Sequence, residues 1–153
     1  PAMTARIVGR LHSEFRFPDA VSPISVEALM LELFVASERT PNDSDRIPSW
    51  LREARSIVTR RFADSATLTA IASAVDVRPA QLARAFRRHY GLSVGDFIRQ
   101  LRVEHAQRRL ATKAPLGEIA LDAGFADQSH LTRTFRRVTG MTPAAYRQMV
   151  RTF

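Results

Sequence analysis

Residues Leu116 to Tyr146, LGEIALDAGFADQSHLTRTFRRVTGMTPAAY, decide the fold. They open with a short amphipathic helix that sets Leu116, Ile119, Ala120 and Ala123 on one face. Gly124 breaks that helix, because a tight or left-handed turn is cheapest at glycine. Asp127 or Ser129 can cap a second helix that turns Leu131, Thr134, Phe135 and Val138 inward. Gly140 stops it, and Thr142-Pro143 starts another helix with proline in the first turn. Helix, short turn, helix is a plan whose second helix can enter a DNA major groove. Here that helix has a polar outer face of Ser129, Thr132, Arg133 and Arg136.

The pattern occurs twice. Residues Leu68 to Arg99 read LTAIASAVDVRPAQLARAFRRHYGLSVGDFIR. Ile71-Ala72 and Val77 match Ile119-Ala120 and Phe125 at an offset of 48. Leu82, Phe86, Arg87-Arg88, Gly91 and Phe97 match Leu131, Phe135, Arg136-Arg137, Gly140 and Tyr146 at an offset of 49. The one-residue slip falls in the turn, where insertions are tolerated. A repeat outweighs any single motif and predicts two similar helix-turn-helix units in tandem. The fold class expected is therefore all-α: two tandem helix-turn-helix subdomains joined by a long central helix and preceded by a short N-terminal helical segment.

The residues that carry these units resemble the DNA-binding domain of the AraC/XylS transcription regulators. AIASAVDV and LARAFRRHYG carry the likeness in the first copy, and EIALDAGFADQSHLTRTFRRVTGMTPAAYR in the second. The second copy holds I-A-x-x-x-G-F, S-x-L-x-R-x-F-R and G-x-T-P-x-x-Y-R in order and spacing. The resemblance covers about 50–153. It implies a sequence-specific double-stranded DNA-binding regulator in the bacterial cytosol or nucleoid, most commonly an activator that contacts RNA polymerase. It also implies a sensor domain that binds the effector, and nothing here has the strand pattern for one. The chain is thus expected to be a truncated piece or a natural short form. Pro1-Ala2-Met3 reads as a cloning scar.

Charge points to the same partner. The net charge is +8. Residues 1–48 hold five Arg and seven Asp/Glu, whereas residues 49–153 hold eighteen Lys/Arg and eight Asp/Glu. The positive charge sits with the repeats and calls for a polyanion, nucleic acid first. Only Lys113 among the basic residues is lysine. Arginine forks suit phosphate and guanine, although a GC-rich genome produces the same bias. The absence of cysteine removes disulfide frameworks, cysteine-based zinc sites and thiol nucleophiles. His12, His89, His105 and His130 show no metal-ligand spacing, no apolar run is long enough for a membrane span, and no cofactor is expected.

Before the repeats, Thr4 to Phe15 could form a helix. Ser25 can cap another through about Arg39, carrying Val26, Ala28, Leu29, Met30, Leu31, Leu33, Phe34 and Val35. Apolar residues on more than one face require burial on more than one side. That burial is either inside a small N-terminal piece or against a sensor domain or second subunit, so residues 25–39 are the candidate homodimer surface. Residues 38–49, ERTPNDSDRIPS, read as a linker. The expected division is 1–40 N-terminal helical segment, 41–49 linker and 50–153 DNA-binding domain. Trp50 to Arg61 forms a scaffold helix.

The recognition helices are expected at 79–90 and 128–139. Projected at ~100° per residue, the first turns Phe86 and Ala85 inward and Ala80, Arg84 and Arg87 outward, with Ala83 and Arg88 flanking. The second turns Ser129, Arg133 and Arg136 outward, with Thr132 flanking. The resemblance puts the family's base-reading residues at matching positions. Arg84 and Arg133 are the guanine candidates, since a guanidinium forks onto O6 and N7. Ala80 and Ala83 offer only apolar contact, while Gln128, Ser129 and Thr132 can hydrogen-bond. Arg87, Arg88, Arg136 and Arg137, with His130 at the edge, are the phosphate candidates. The alternative for every arginine is a solvated helix surface, and for Phe125 a core plug is favoured over any functional role. Val94 to Ala111 is a helical rod of ~27 Å. The resemblance implies that it sets two recognition helices in successive major grooves, ~34 Å apart.

Two other readings stay open: a non-specific architectural DNA binder, and an interaction module built on the apolar N-terminal helix. An enzyme is the least favoured class. The chain has no Gly-rich phosphate loop and no nucleophile–base pair at recognisable spacing. Alkyl-transfer repair proteins with this DNA-binding fold need a reactive cysteine.

Overall fold

The computed structural model describes residues 22–35, 47–64 and 66–151, and the expected helix Thr4–Phe15 lies outside them. The described residues form eight helices and no strand. They are α1 (Ser22–Val35), α2 (Ser49–Arg60), α3 (Leu68–Ala74), α4 (Pro79–Tyr90), α5 (Val94–Leu110), α6 (Leu116–Asp122), α7 (Gln128–Thr139) and α8 (Pro143–Arg151). Contacts divide the chain into two compact units. Of the described residues, the first takes 22–35, 47–61 and 66–97, the second 62–64 and 98–151.

In the first unit α3 and α4 make the helix-turn-helix. Thr67 caps α3 by accepting the Ala70 N–H at 3.1 Å, a bond that satisfies one of the donors a helix start leaves open. Arg78 precedes α4 without a side-chain cap, and Pro79 supplies the preset φ at its first position. Ile71 and Ala72 of α3 and Leu82 and Phe86 of α4 are buried, with Leu51, Ala54 and Val58 of α2 beneath them. Each such Leu, Ile or Phe contributes ~1.5–3 kcal/mol by leaving water. The N-terminal helix belongs to this unit: α1 packs on α4 and, less extensively, on α3. Ile24, Ala28 and Leu29 are its buried side, and Glu27 accepts a hydrogen bond from the Thr69 hydroxyl. The helix starts at Ser22, so Ser25 lies inside its first turn and does not cap it.

The second unit repeats the plan with α6 and α7. Val103, Ala106 and Leu110 of α5 form one core with Ile119, Ala120, Ala123, Phe125, Leu131 and Phe135. Asp127 is the cap of α7, accepting the His130 N–H at 2.6 Å, and Ser129 is the second helical residue. Val138, expected to face inward, is 46% exposed, because it lies in the last turn beyond the reach of the core. Two arginines of α5, Arg99 and Arg102, are buried with this core. Arg102 is 1% exposed, and its Nε and one Nη donate to the carbonyls of Phe62 and Asp64 at 2.8 and 3.1 Å. The guanidinium also lies 6.0 Å from the centre of the Phe125 ring. Residues 62–64 are thereby seated on the turn between α6 and α7. The backbone of Ala63 comes so close to Gly124 that a Cβ there would stand 2.6 Å from its carbonyl oxygen.

Candidate nucleic-acid interface

The two helix-turn-helix pairs are built by the same local chemistry. The turn after the first helix closes with a backbone hydrogen bond from Val77 to Ala72 at 3.1 Å in one unit, and from Phe125 to Ala120 at 2.8 Å in the other. The residue just before each of these donors is left-handed: Asp76 at φ 53° and Gly124 at φ 80°. The second helices end at Gly91 and Gly140, both left-handed, each N–H bonding back at 2.9 Å to Arg87 and Arg136 respectively. A ring pair anchors each helix from the next element: Phe86–Phe97 and Phe135–Tyr146, both with centroids 5.5 Å apart. These contacts fix which side of α4 and α7 faces out.

On α7 the outward side presents Gln128, Ser129, Arg133, Arg136 and Arg137 to solvent, with Thr132 half-buried and its hydroxyl donating to the Gln128 carbonyl at 2.8 Å. On α4 Arg84 and Arg88 are exposed, while Ala80 and Arg87 are half-buried. Among the described residues, the guanidiniums of Arg84, Arg133 and Arg136 take no hydrogen bond or ion pair. Lone solvated cations at matching positions of two helices can serve an external acceptor without breaking an internal bond.

Two candidates move inside. Ala83 is 3% exposed and belongs to the first unit's core, not to an outer face; it lies on the helix against which α1 packs. His130 is 4% exposed. Its ring stands edge-on to Phe125, centroids 5.1 Å apart, and its Nδ1 accepts the Ala126 N–H at 3.3 Å, so it braces the turn and is withdrawn from phosphates. Helical projection alone could not see this, since Phe125 lies outside the helix. The projection also passes over α2. Its Arg52, Arg55, Ser56, Thr59 and Arg60, with Tyr90 of α4, line a shallow cleft of about 360 Å³. Arg55 sits over the rings of Tyr90 and Phe97 at 5.0 and 5.5 Å. The i, i+3, i+7 spacing of Arg52, Arg55 and Thr59 was the available signal. Of the candidate dimer surface at 25–39, Ala28 and Leu29 are already buried within the first unit, and Met30 is 58% exposed.

Among the described residues no group of histidines and acidic side chains could hold a metal ion, and no helix is long and apolar enough to cross a membrane. What the fold and its outer faces define is a tandem helix-turn-helix protein with an arginine at the same outward position of both second helices.

Residues 71–149 match the family model described as a helix-turn-helix domain, and the chain belongs to that family, in its AraC type. It is 28% identical over 119 residues to the bifunctional transcriptional activator/DNA repair enzyme AdaA of Bacillus subtilis, covering 76% of this chain and 56% of that protein. It is 26% identical over 151 residues to the transcriptional activator RhaR of Salmonella dublin, covering 94% and 53%. The chain therefore spans about half the length of these relatives. Among solved structures, the DNA-binding domain of the global transcriptional factor AdpA, in complex with a target DNA, superposes with a TM-score of 0.64. It is 26% identical and matches 69% of this chain and 96% of that one.

Proposed function

We propose that the chain is a sequence-specific double-stranded DNA-binding transcription regulator, an activator, that reads two adjacent major-groove segments with residues 79–90 and 128–139. The observation that carries this reading is the matched pair of exposed guanidiniums, Arg84 and Arg133, without partners among the described residues. Each forks onto the O6 and N7 of a guanine. Gln128, Ser129 and Thr132 hydrogen-bond to neighbouring base edges, and Ala80 gives apolar contact. Arg87, Arg88, Arg136 and Arg137 meet phosphates, which supply most of the affinity and its salt dependence. The continuous 17-residue helix α5 is the spacer.

As an activator in the bacterial cytoplasm it contacts RNA polymerase, and its effector binds a sensor region of the whole protein. A homodimer through 25–39 would have to use the part of α1 outside its packing on α4, where Met30 is exposed. No enzymatic step is proposed. AdaA is named as a repair enzyme as well as an activator, but this chain has no cysteine to act as a thiolate acceptor.

Selection of bound duplexes from a randomised pool tests the reading. Two conserved blocks about one helical turn apart are expected. Arg84→Ala and Arg133→Ala should each relax specificity at one base pair and cost ~1–3 kcal/mol there. Equal losses on selected and random duplex would remove the base contacts and leave a non-specific, phosphate-only binder.

A further inference from the structure

The flank of α4 that should face the groove is covered, and its counterpart on α7 is bare. Residues three and four apart share a helix flank, so Pro79, Ala80, Ala83 and Arg87 line one side of α4. The matching side of α7 is Gln128, Ser129, Thr132 and Arg136. At every pair the first unit is the more enclosed. Pro79, Ala80 and Arg87 are half-buried where Gln128, Ser129 and Arg136 are exposed. Ala83 is buried where Thr132 is half-buried. The next pairs round the helix, Arg84 with Arg133 and Arg88 with Arg137, are exposed in both. The difference on this flank therefore spares the neighbouring outward arginines. Among the described elements α1 is the one packed most extensively on α4, and α7 carries no equivalent.

A major groove ~12 Å wide admits one α-helix. A helix with its side chains is itself ~10–12 Å across, so α4 cannot enter with α1 alongside. Nor can α1 substitute as a contact, since its sequence SPISVEALMLELFV carries two glutamates and no basic residue. Beside phosphates it would be repelled.

We infer that α1 is a detachable cover on the reading flank of the first unit, and that α4 engages DNA only after α1 has left it. The inference rests on the reading of α4 as a DNA-binding helix. α7 is then the standing reader and α4 the conditional one. The cover lowers the first unit's apparent affinity by the fraction of molecules in which it is closed. Whatever holds α1 elsewhere raises that affinity without touching a DNA contact.

Three measurements on the full chain test this. Leu29→Glu, at a buried α1 position, should raise affinity for the selected two-block duplex about tenfold. It should also add protection over the block read by the first unit. Affinity for a duplex carrying only the second unit's block should stay the same. In case that variant misfolds, amide exchange on the unmodified chain gives an independent answer. On adding the two-block duplex, α1 amides should lose protection while α4 amides gain it. α1 amides that stay protected in the complex, or a folded Leu29→Glu chain with unchanged or weaker binding, would overturn the cover. Arg133→Ala separates the two levels. If it relaxes specificity while α1 stays in place, only the cover falls. If it changes nothing on any duplex, the DNA reading falls with it.

Discussion

The two helix-turn-helix units share a skeleton and differ in how they hold it. Both use the same carbonyl to close the turn, the same left-handed glycine to stop the second helix and the same ring distance to anchor it. The first unit bends through Asp76, which is exposed, and has α1 packed on its second helix. The second bends through Gly124, pressed against the Ala63 backbone, and is braced by Arg102 and His130. The repeated positions therefore specify a shape. The unrepeated ones decide which copy is locked and which is adjustable.

The turn residues should separate the units most strongly. Gly124→Ala must hold a Cβ at φ 80°, which costs ~1–2 kcal/mol in the left-handed region. It must also push away backbone atoms 2.6–3.0 Å distant. The expected total is about 3 kcal/mol or more, read by urea unfolding with amide exchange of α6 and α7. Asp76→Gly, at the equivalent place, should stay within about 0.5 kcal/mol, because relief of the left-handed strain offsets the added freedom of the unfolded chain. If the two substitutions cost the same, the turns are equivalent and the contrast between units is lost.

Arg102 should come next. Replacing it with Met keeps most of the packing volume but leaves the Phe62 and Asp64 carbonyls without these donors, for about 2–3 kcal/mol. Lysine should not restore it, since one ammonium cannot fork to both carbonyls as the guanidinium does. The loss should appear in the exchange of α6 and α7 before that of α3 and α4. Equal destabilisation of both pairs would mean that residues 62–64 do not belong to the second unit's stability.

What the chain states openly is whatever periodicity and glycine punctuation encode. Ile71, Leu82 and Phe86, and Ile119, Leu131 and Phe135, fell on their inward faces, and Gly140 and its match Gly91 ended the second helices. Ala83 and His130 did not follow, for one reason. Projection on a single helix knows nothing of α1 or Phe125, which approach from elsewhere in the chain. Arg102 was missed for the complementary reason. Read alone, an arginine amid a helix stripe is surface, and its burial depends on two carbonyls some forty residues away. Long-range contacts of this kind leave no local pattern. The outward position of Arg84 and Arg133 was legible because it follows from the helix period alone.

The smallest expected effect is a pH dependence confined to the second unit. His105 lies against Phe62, ring centroids 5.3 Å apart. Its pKa is held below the ordinary value near 6.5, first by burial, then by Arg108 and Arg109, with Asp122 acting in the opposite sense. The folded unit therefore favours neutral His105, and the unfolded chain takes up the proton first as pH falls. The stabilisation is fully present above about pH 6.5 and declines as the pH drops from there toward the lower folded pKa. Amide exchange of α6 and α7 should speed up modestly over that interval, and His105→Gln should flatten the change. A slope that survives the substitution, or a His105 that titrates at its ordinary value, would assign the acid sensitivity to another group and leave the Phe62 contact without an electrostatic role.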